Sequence, residues 1–178
     1  MRLLFFVFIS LALASCNDLS SPYPAGKLCR SYCDDSLAGY WEFIGTDDFS
    51  KNGLSIDSHL LVIVPFNKKE YLIQNLEFND SEKVSFKDLG IFKGFISTIG
   101  KQRIANIQML VPGEENKNEY LIYPFNLIGD TLSFYGFSSE LIKQEFHSTC
   151  ELRKFLKKNI ENKSLFSAIR RYKKKYNK

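Results

Sequence analysis

From Ala38 onward the chain runs as short stretches rich in Val, Ile, Leu, Phe, Tyr and Trp, separated by turn-forming residues, as half-buried β-strands require. Seven stretches qualify: AGYWEFIG (38–45), LLVIVPF (60–66), EYLIQNLEF (70–78), FKGFISTI (92–99), RIANIQMLV (103–111), EYLIYPFNLI (119–128) and TLSFYGF (131–137). A weaker eighth is LIKQEF (141–146). Ile99-Gly100-Lys101-Gln102 and Ile128-Gly129-Asp130-Thr131 place glycine in connections of about two residues, as tight hairpins demand. Asn67-Lys68-Lys69 joins the second and third strands in the same way. Sequential hairpins make an antiparallel up-and-down sheet, and a sheet of this many strands curls and closes to hide its edges.

After His147 the period changes. Ser148-Thr149-Cys150-Glu151 has the form of a capping box. Leu152, Phe155, Leu156 and Ile160 then fall on one helical face, with Arg153, Lys154, Lys157 and Lys158 around the rest. Asn162-Lys163-Ser164 breaks this helix, and Leu165 to Tyr176 reads as a second one carrying Phe166, Ile169 and Tyr172. The fold class expected is mainly β with C-terminal helices (α+β): an antiparallel up-and-down barrel, or strongly curled sheet, of seven or eight strands with the first helix packed on it. Truncation after Ile169 is expected to leave that β-domain folded.

At the opposite end, LLFFVFISLAL (3–13) has no polar face apart from Ser10. Its 11 residues fall well short of the roughly 20 that span a bilayer. With Arg2 before it and the small Ala14-Ser15 after it, it reads as a secretory signal. The four residues Leu13-Ala14-Ser15-Cys16 resemble the lipobox of bacterial lipoproteins. That resemblance implies that residues 1–15 are removed and that Cys16 becomes the first residue, acylated and holding the protein to a membrane. In that family Asp directly after the cysteine favours the inner membrane; Asn17 here points to the outer membrane, facing the periplasm. Residues 16–36, rich in Ser, Pro, Asp and Cys without apolar periodicity, are expected to be a tether. The domains expected are thus 1–15 signal, 16–36 lipidated tether, 37–147 barrel and 148–178 C-terminal helices.

Gly39-Tyr40-Trp41 on the first barrel strand, with a helix after the last, resembles the lipocalin or calycin architecture. In lipocalins an arginine from the chain's end packs across that tryptophan and closes the barrel floor; here Arg153 is the candidate, although it sits within the predicted helix. The resemblance also implies an apolar ligand inside the barrel. The lipocalin motif between the sixth and seventh strands is not visible.

Charge is split along the chain. Residues 153–178 hold eleven Lys and Arg against one acid, Glu161, whereas residues 16–152 hold twelve basic against nineteen acidic groups. Arg170, Arg171, Lys173, Lys174, Lys175 and Lys178 form a basic patch at the expected helix end. Such a patch suits anionic headgroups, an acidic partner or the chain's own acidic domain; the plainer reading is stabilisation of a helix C-terminus. Nucleic acid is not a partner expected of an exported lipoprotein.

Three further cysteines remain. Outside the cytoplasm a disulfide is the default, so one of Cys29 or Cys33 is expected to bond Cys150, with Cys29–Cys33 as the rival pairing. Together with His147 the three thiols also make a tetrahedral zinc set, but thiols in an oxidising compartment oxidise first, and no metal is assigned. There is no Gly-x-Ser-x-Gly, His-Glu-x-x-His or phosphate-binding glycine loop, so no cofactor and no catalytic residue is assigned. His59 and His147 read as surface residues. Glu42, Asp47, Asp48, Glu70, Glu114 and Glu115 mark turns and solvent faces, though a hydrolase would need two carboxylates converging in a barrel mouth. Two classes of function stay open: a non-enzymatic binding module for an apolar ligand or envelope component, and a protein–protein partner such as a periplasmic inhibitor or toxin-immunity lipoprotein. A cavity within the barrel favours the first and a filled core the second.

Overall fold

The computed structural model describes residues 19–48, 58–78, 86–110, 119–138, 144–162 and 166–176. Cys16, the apolar segment before it and Lys178 lie outside these residues, as do 141–143 of the weak eighth run. Nine strands and one α-helix are present among them: β1 (Leu19–Ser21), β2 (Gly39–Asp48), β3 (Ser58–Pro65), β4 (Tyr71–Phe78), β5 (Phe86–Ile99), β6 (Gln102–Met109), β7 (Tyr120–Ile128), β8 (Thr131–Phe137), α1 (Thr149–Asn159) and β9 (Phe166–Lys175). The order is β1-β7-β6-β5-β4-β3-β2-β9-β8, and β8 pairs back onto β7. Strands β2 to β9 therefore close an eight-stranded antiparallel up-and-down barrel. Strand β1 is added on the outside of β7, pairing Leu19 with Ile122, where β7 has parted from β8.

The closing strand corrects the sequence reading. Residues 166–175 are not a second helix; they pair with β2 from Asp48↔Ala168 to Tyr40↔Lys175 and with β8 from Phe137↔Phe166 to Thr131↔Lys173. Phe166, Ile169 and Tyr172 do recur at helical spacing, and Lys and Arg favour helix, but propensity is a weak prior. Two open edges, on β2 and β8, leave two rows of backbone donors and acceptors that only a strand satisfies. The eighth strand of the ring is thus β9, and residues 144–146 are not a strand.

Nor are residues 19–36 of the expected tether free. From Leu19 onward the segment is packed: Leu19 and Ala25 are wholly buried, and the turn Asp35–Leu37 seats Leu37 in the barrel core. Two apolar clusters result. One, inside the barrel, holds Leu37, Trp41, Leu61, Ile63, Tyr71, Ala105, Phe125, Leu132 and Tyr172. The other lies between the wall and α1 and joins Leu19, Ile104, Ile122, Phe137 and Phe146 to Leu152 and Leu156.

The barrel has two unlike ends. The short β3–β4, β5–β6 and β7–β8 turns gather at one end, with Gly100 and Gly129 at φ +61° and +59° in the last two. The β2–β3, β4–β5 and β6–β7 connections leave from the other end, and 49–57, 79–85 and 111–118 lie outside the described residues.

Candidate ligand cavity

The short-turn end is closed by a plug. Trp41 is wholly buried and donates its indole N–H to Leu37 O at 2.8 Å. Lys174 lies over its ring, Nζ 5.3 Å from the centroid, and donates to Ser36 O at 2.8 Å. Gly39 makes this possible. It sits at φ +135°, and a Cβ there would come within 3.0 Å of Lys174 Cε. Arg153 does not pack across Trp41. Its guanidinium is on the outside of the barrel, donating to Ala25 O at 2.7 Å and Thr98 O at 3.3 Å, because α1 lies against the wall and not under the floor.

Polar straps hold the plug. Asp34 Oδ2 is 2.7 Å from Arg103 Nη2, and that guanidinium stacks on Phe125 at 4.7 Å. The Asp34 N–H donates to the Tyr71 hydroxyl, which donates to Asp34 O at 3.2 Å. Burial, foremost, pushes the Tyr71 phenol up to about 12. Burial also acts to raise the Asp34 carboxyl, but Ser36 and Arg103 outweigh it and hold it below its ordinary 3.8. Glu70, beside Asn67 and 3.2 Å from Lys93, is held below its ordinary 4.5 against the same opposing burial. Depressed carboxyls contribute stability that is complete above their unfolded values and lost as pH falls through the folded ones. The melting temperature is therefore expected to drop as pH goes from about 5 towards 2. Arg103→Gln should flatten the Asp34 part of that fall; an identical acid profile in the variant would show that the strap contributes nothing.

Above the plug, alternation sends Tyr71, Ile73 and Asn75 of β4, Leu121, Tyr123 and Phe125 of β7, and Arg170, Tyr172 and Lys174 of β9 towards the interior. The space is not filled. A void of about 30 Å³ lies near Leu37 and Tyr71, and a second of about 110 Å³ lies above it. Ile73, Ile107 and Phe134 line both. Phe134 is fixed between Tyr123, Phe125 and Tyr172 by ring contacts of 5.9 to 6.0 Å. The larger void is walled by apolar and aromatic groups, with two polar residues, Asn75 and Arg170. Asn75 Oδ1 is buried without a hydrogen-bond partner among the described residues. An orphaned buried acceptor costs about 1–3 kcal/mol, so it marks a place where a donor is wanted.

The residues singled out in the sequence are thus scattered. The basic patch is a strand, not a helix end. Arg170 lines the cavity and Lys174 the floor, while Lys175 pairs with Glu42 across β2 at 2.7 Å. Cys29, Cys33 and Cys150 are free thiols, so the expected bridge to Cys150 is not formed. Cys33 instead donates to Asn67 O and Glu70 O, and burial pushes its thiol up. Among the described residues no three of His, Cys, Asp and Glu gather as metal ligands, so the zinc set is not assembled either. No helix there is long and apolar enough to cross a membrane. Asn75 was missed, although its signal was legible: in YLIQNLEF it falls on the inward parity of Tyr71 and Ile73.

No family model matches the sequence, and no curated protein matches it. Among solved structures the chain is similar to the crystal structure of a point mutant of the fluorescent protein UnaG. The likeness has 9% identity and a TM-score of 0.42, over 80% of this chain and 99% of that one.

Proposed function

We propose that the protein is a cell-envelope lipoprotein, anchored through Cys16, whose barrel binds one small, mostly apolar molecule bearing a hydrogen-bond donor. The observation that carries this reading is a cavity lined mostly by apolar and aromatic side chains that has in its wall Asn75, whose oxygen finds no hydrogen-bond partner among the described residues. Size narrows the ligand. About 110 Å³ is far below the ~300–1,000 Å³ of pockets for drug-sized molecules and near the ~150 Å³ that holds a benzene. The occupant is of single-ring size, its donor towards Asn75 and its acceptor, where it has one, towards the Arg170 guanidinium.

Phenol and toluene are matched probes, one with a donor and one without. Wild-type protein is expected to gain more thermal stability from phenol, with roughly tenfold tighter binding. Asn75→Leu keeps the shape and removes the orphan. The variant should melt higher than wild type when empty, and it should prefer toluene. A wild type that binds neither probe, or a variant with unchanged preference, would overturn the reading.

A further inference from the structure

The patch expected to meet a membrane is built into the barrel, but a different basic surface is left outside it. In α1, Leu152 and Leu156 are wholly buried against the barrel wall in a cluster that also contains Leu19. On the opposite side of the same helix Lys154, Lys157 and Lys158 are exposed. None of the three forms an ion pair within the described residues. The other charges of the helix are turned away from this face. Arg153 is folded back onto Ala25 and Thr98, and Glu151 is held at the N-terminus by the His147 N–H at 2.9 Å.

Chain length places this face beside the anchor. Leu19 is buried in the same apolar cluster as Leu152 and Leu156 of α1, so only Asn17 and Asp18 separate Cys16 from the folded wall. Three residue steps reach at most about 10 Å, which is about one helix diameter. A lipid on Cys16 cannot hold the barrel at a distance; it must hold this wall against the headgroups. We infer that the Lys154/Lys157/Lys158 face of α1 is the surface on which the barrel rests on an anionic lipid bilayer. This rests on the reading that Cys16 is lipidated. Each lysine close to an anionic surface strengthens association roughly fivefold, so the three together give on the order of a hundredfold, lost as salt screens them. The side-on pose leaves both barrel ends, and the cavity beneath the long-connection end, away from the membrane plane.

Two measurements on the full chain separate the anchor from the face. In the first, fatty-acid labelling establishes acylation, and the labelled protein is placed in vesicles of phosphatidylcholine with or without phosphatidylglycerol. Acetylation of each lysine is then followed by mass spectrometry. Lys154, Lys157 and Lys158 should react several-fold more slowly on the anionic vesicles and recover in high salt, while exposed Lys68 and Lys69 on the β3–β4 turn serve as unchanged controls. In the second, the unacylated Cys16→Ser chain should sediment with phosphatidylglycerol vesicles at low salt. That binding should fall by about a hundredfold when the three lysines are replaced by Gln, and further when they are replaced by Glu; a graded loss with charge guards against a folding defect. Labelled protein whose helix lysines react alike on both vesicles overturns the face and leaves the anchor standing. Unlabelled protein with salt-dependent, lysine-dependent sedimentation overturns the anchor and leaves the face standing.

Discussion

Deleting residues 170–178 unfolds the barrel. The deletion removes Arg170 to Lys175, which pair with β2 from Thr46 to Tyr40 and with β8 from Phe134 to Thr131. It reopens two edges at once, losing roughly ten backbone hydrogen bonds at about 1 kcal/mol net each. It also takes out Tyr172, buried against Phe43 and Phe134, whose loss alone costs about 3–5 kcal/mol by analogy with other large aromatic truncations. The total is at least comparable with the whole stability of a domain, about 5–15 kcal/mol. The chain's single tryptophan, Trp41, provides the readout. Its emission should shift to that of solvated indole, and the cooperative thermal transition should vanish. A truncated chain that keeps both would show that β9 does not close the barrel.

That outcome is the reverse of what the sequence suggested, and the reason is physical. The seven strands between Ala38 and Phe137 were legible because each carries its own apolar pattern and its own turn chemistry. The start of α1 was legible too: Ser148 Oγ accepts from the Glu151 N–H at 3.1 Å, as the capping pattern implied, although Glu151 reaches back to His147 and not to Ser148. These signals are local. Strand β9 has no such signal. FSAIRRYKKK fits a helical face through Phe166, Ile169 and Tyr172, and equally fits an alternating strand through Arg170, Tyr172 and Lys174. What decides between them is the presence of two unpaired edges, 120 to 135 and 29 to 42 residues earlier in the chain. Local patterning carries no record of that requirement.

The same limit applies to the polar interior. Asn106 is wholly buried on β6, accepting from the Ala25 N–H at 2.6 Å and donating to Phe95 O and Ser97 Oγ, and so ties the N-terminal segment to the wall. Asn75, on the equally apolar β4, has an acceptor with no partner among the described residues. In the sequence the two asparagines look alike. One is a fastener and the other is part of the cavity wall, and only the neighbours that folding brings to them separate the two roles.

Trp41→Ala is expected to be the most damaging single substitution at the floor, and to exceed Lys174→Met by several-fold. Trp41 is wholly buried, and its removal leaves a cavity in the cluster that also holds Leu61 and Leu132 and strips Leu37 O of the indole donor. Truncations of this kind cost about 3–5 kcal/mol, which for a domain of this size lowers the melting temperature by roughly 10 °C or more. Lys174 is a different kind of contact. Its ammonium over the indole contributes about 0.5–1 kcal/mol at a partly exposed site, and its bond to Ser36 O is solvent-accessible. Methionine keeps the apolar stem over the ring and loses only the charge, so a drop of about 2–4 °C is expected. Circular dichroism is the right measure, since the first variant has no indole to report. Equal losses from the two substitutions would mean that the cation, not the buried ring, holds the plug, and the floor would then be expected to loosen in high salt as well.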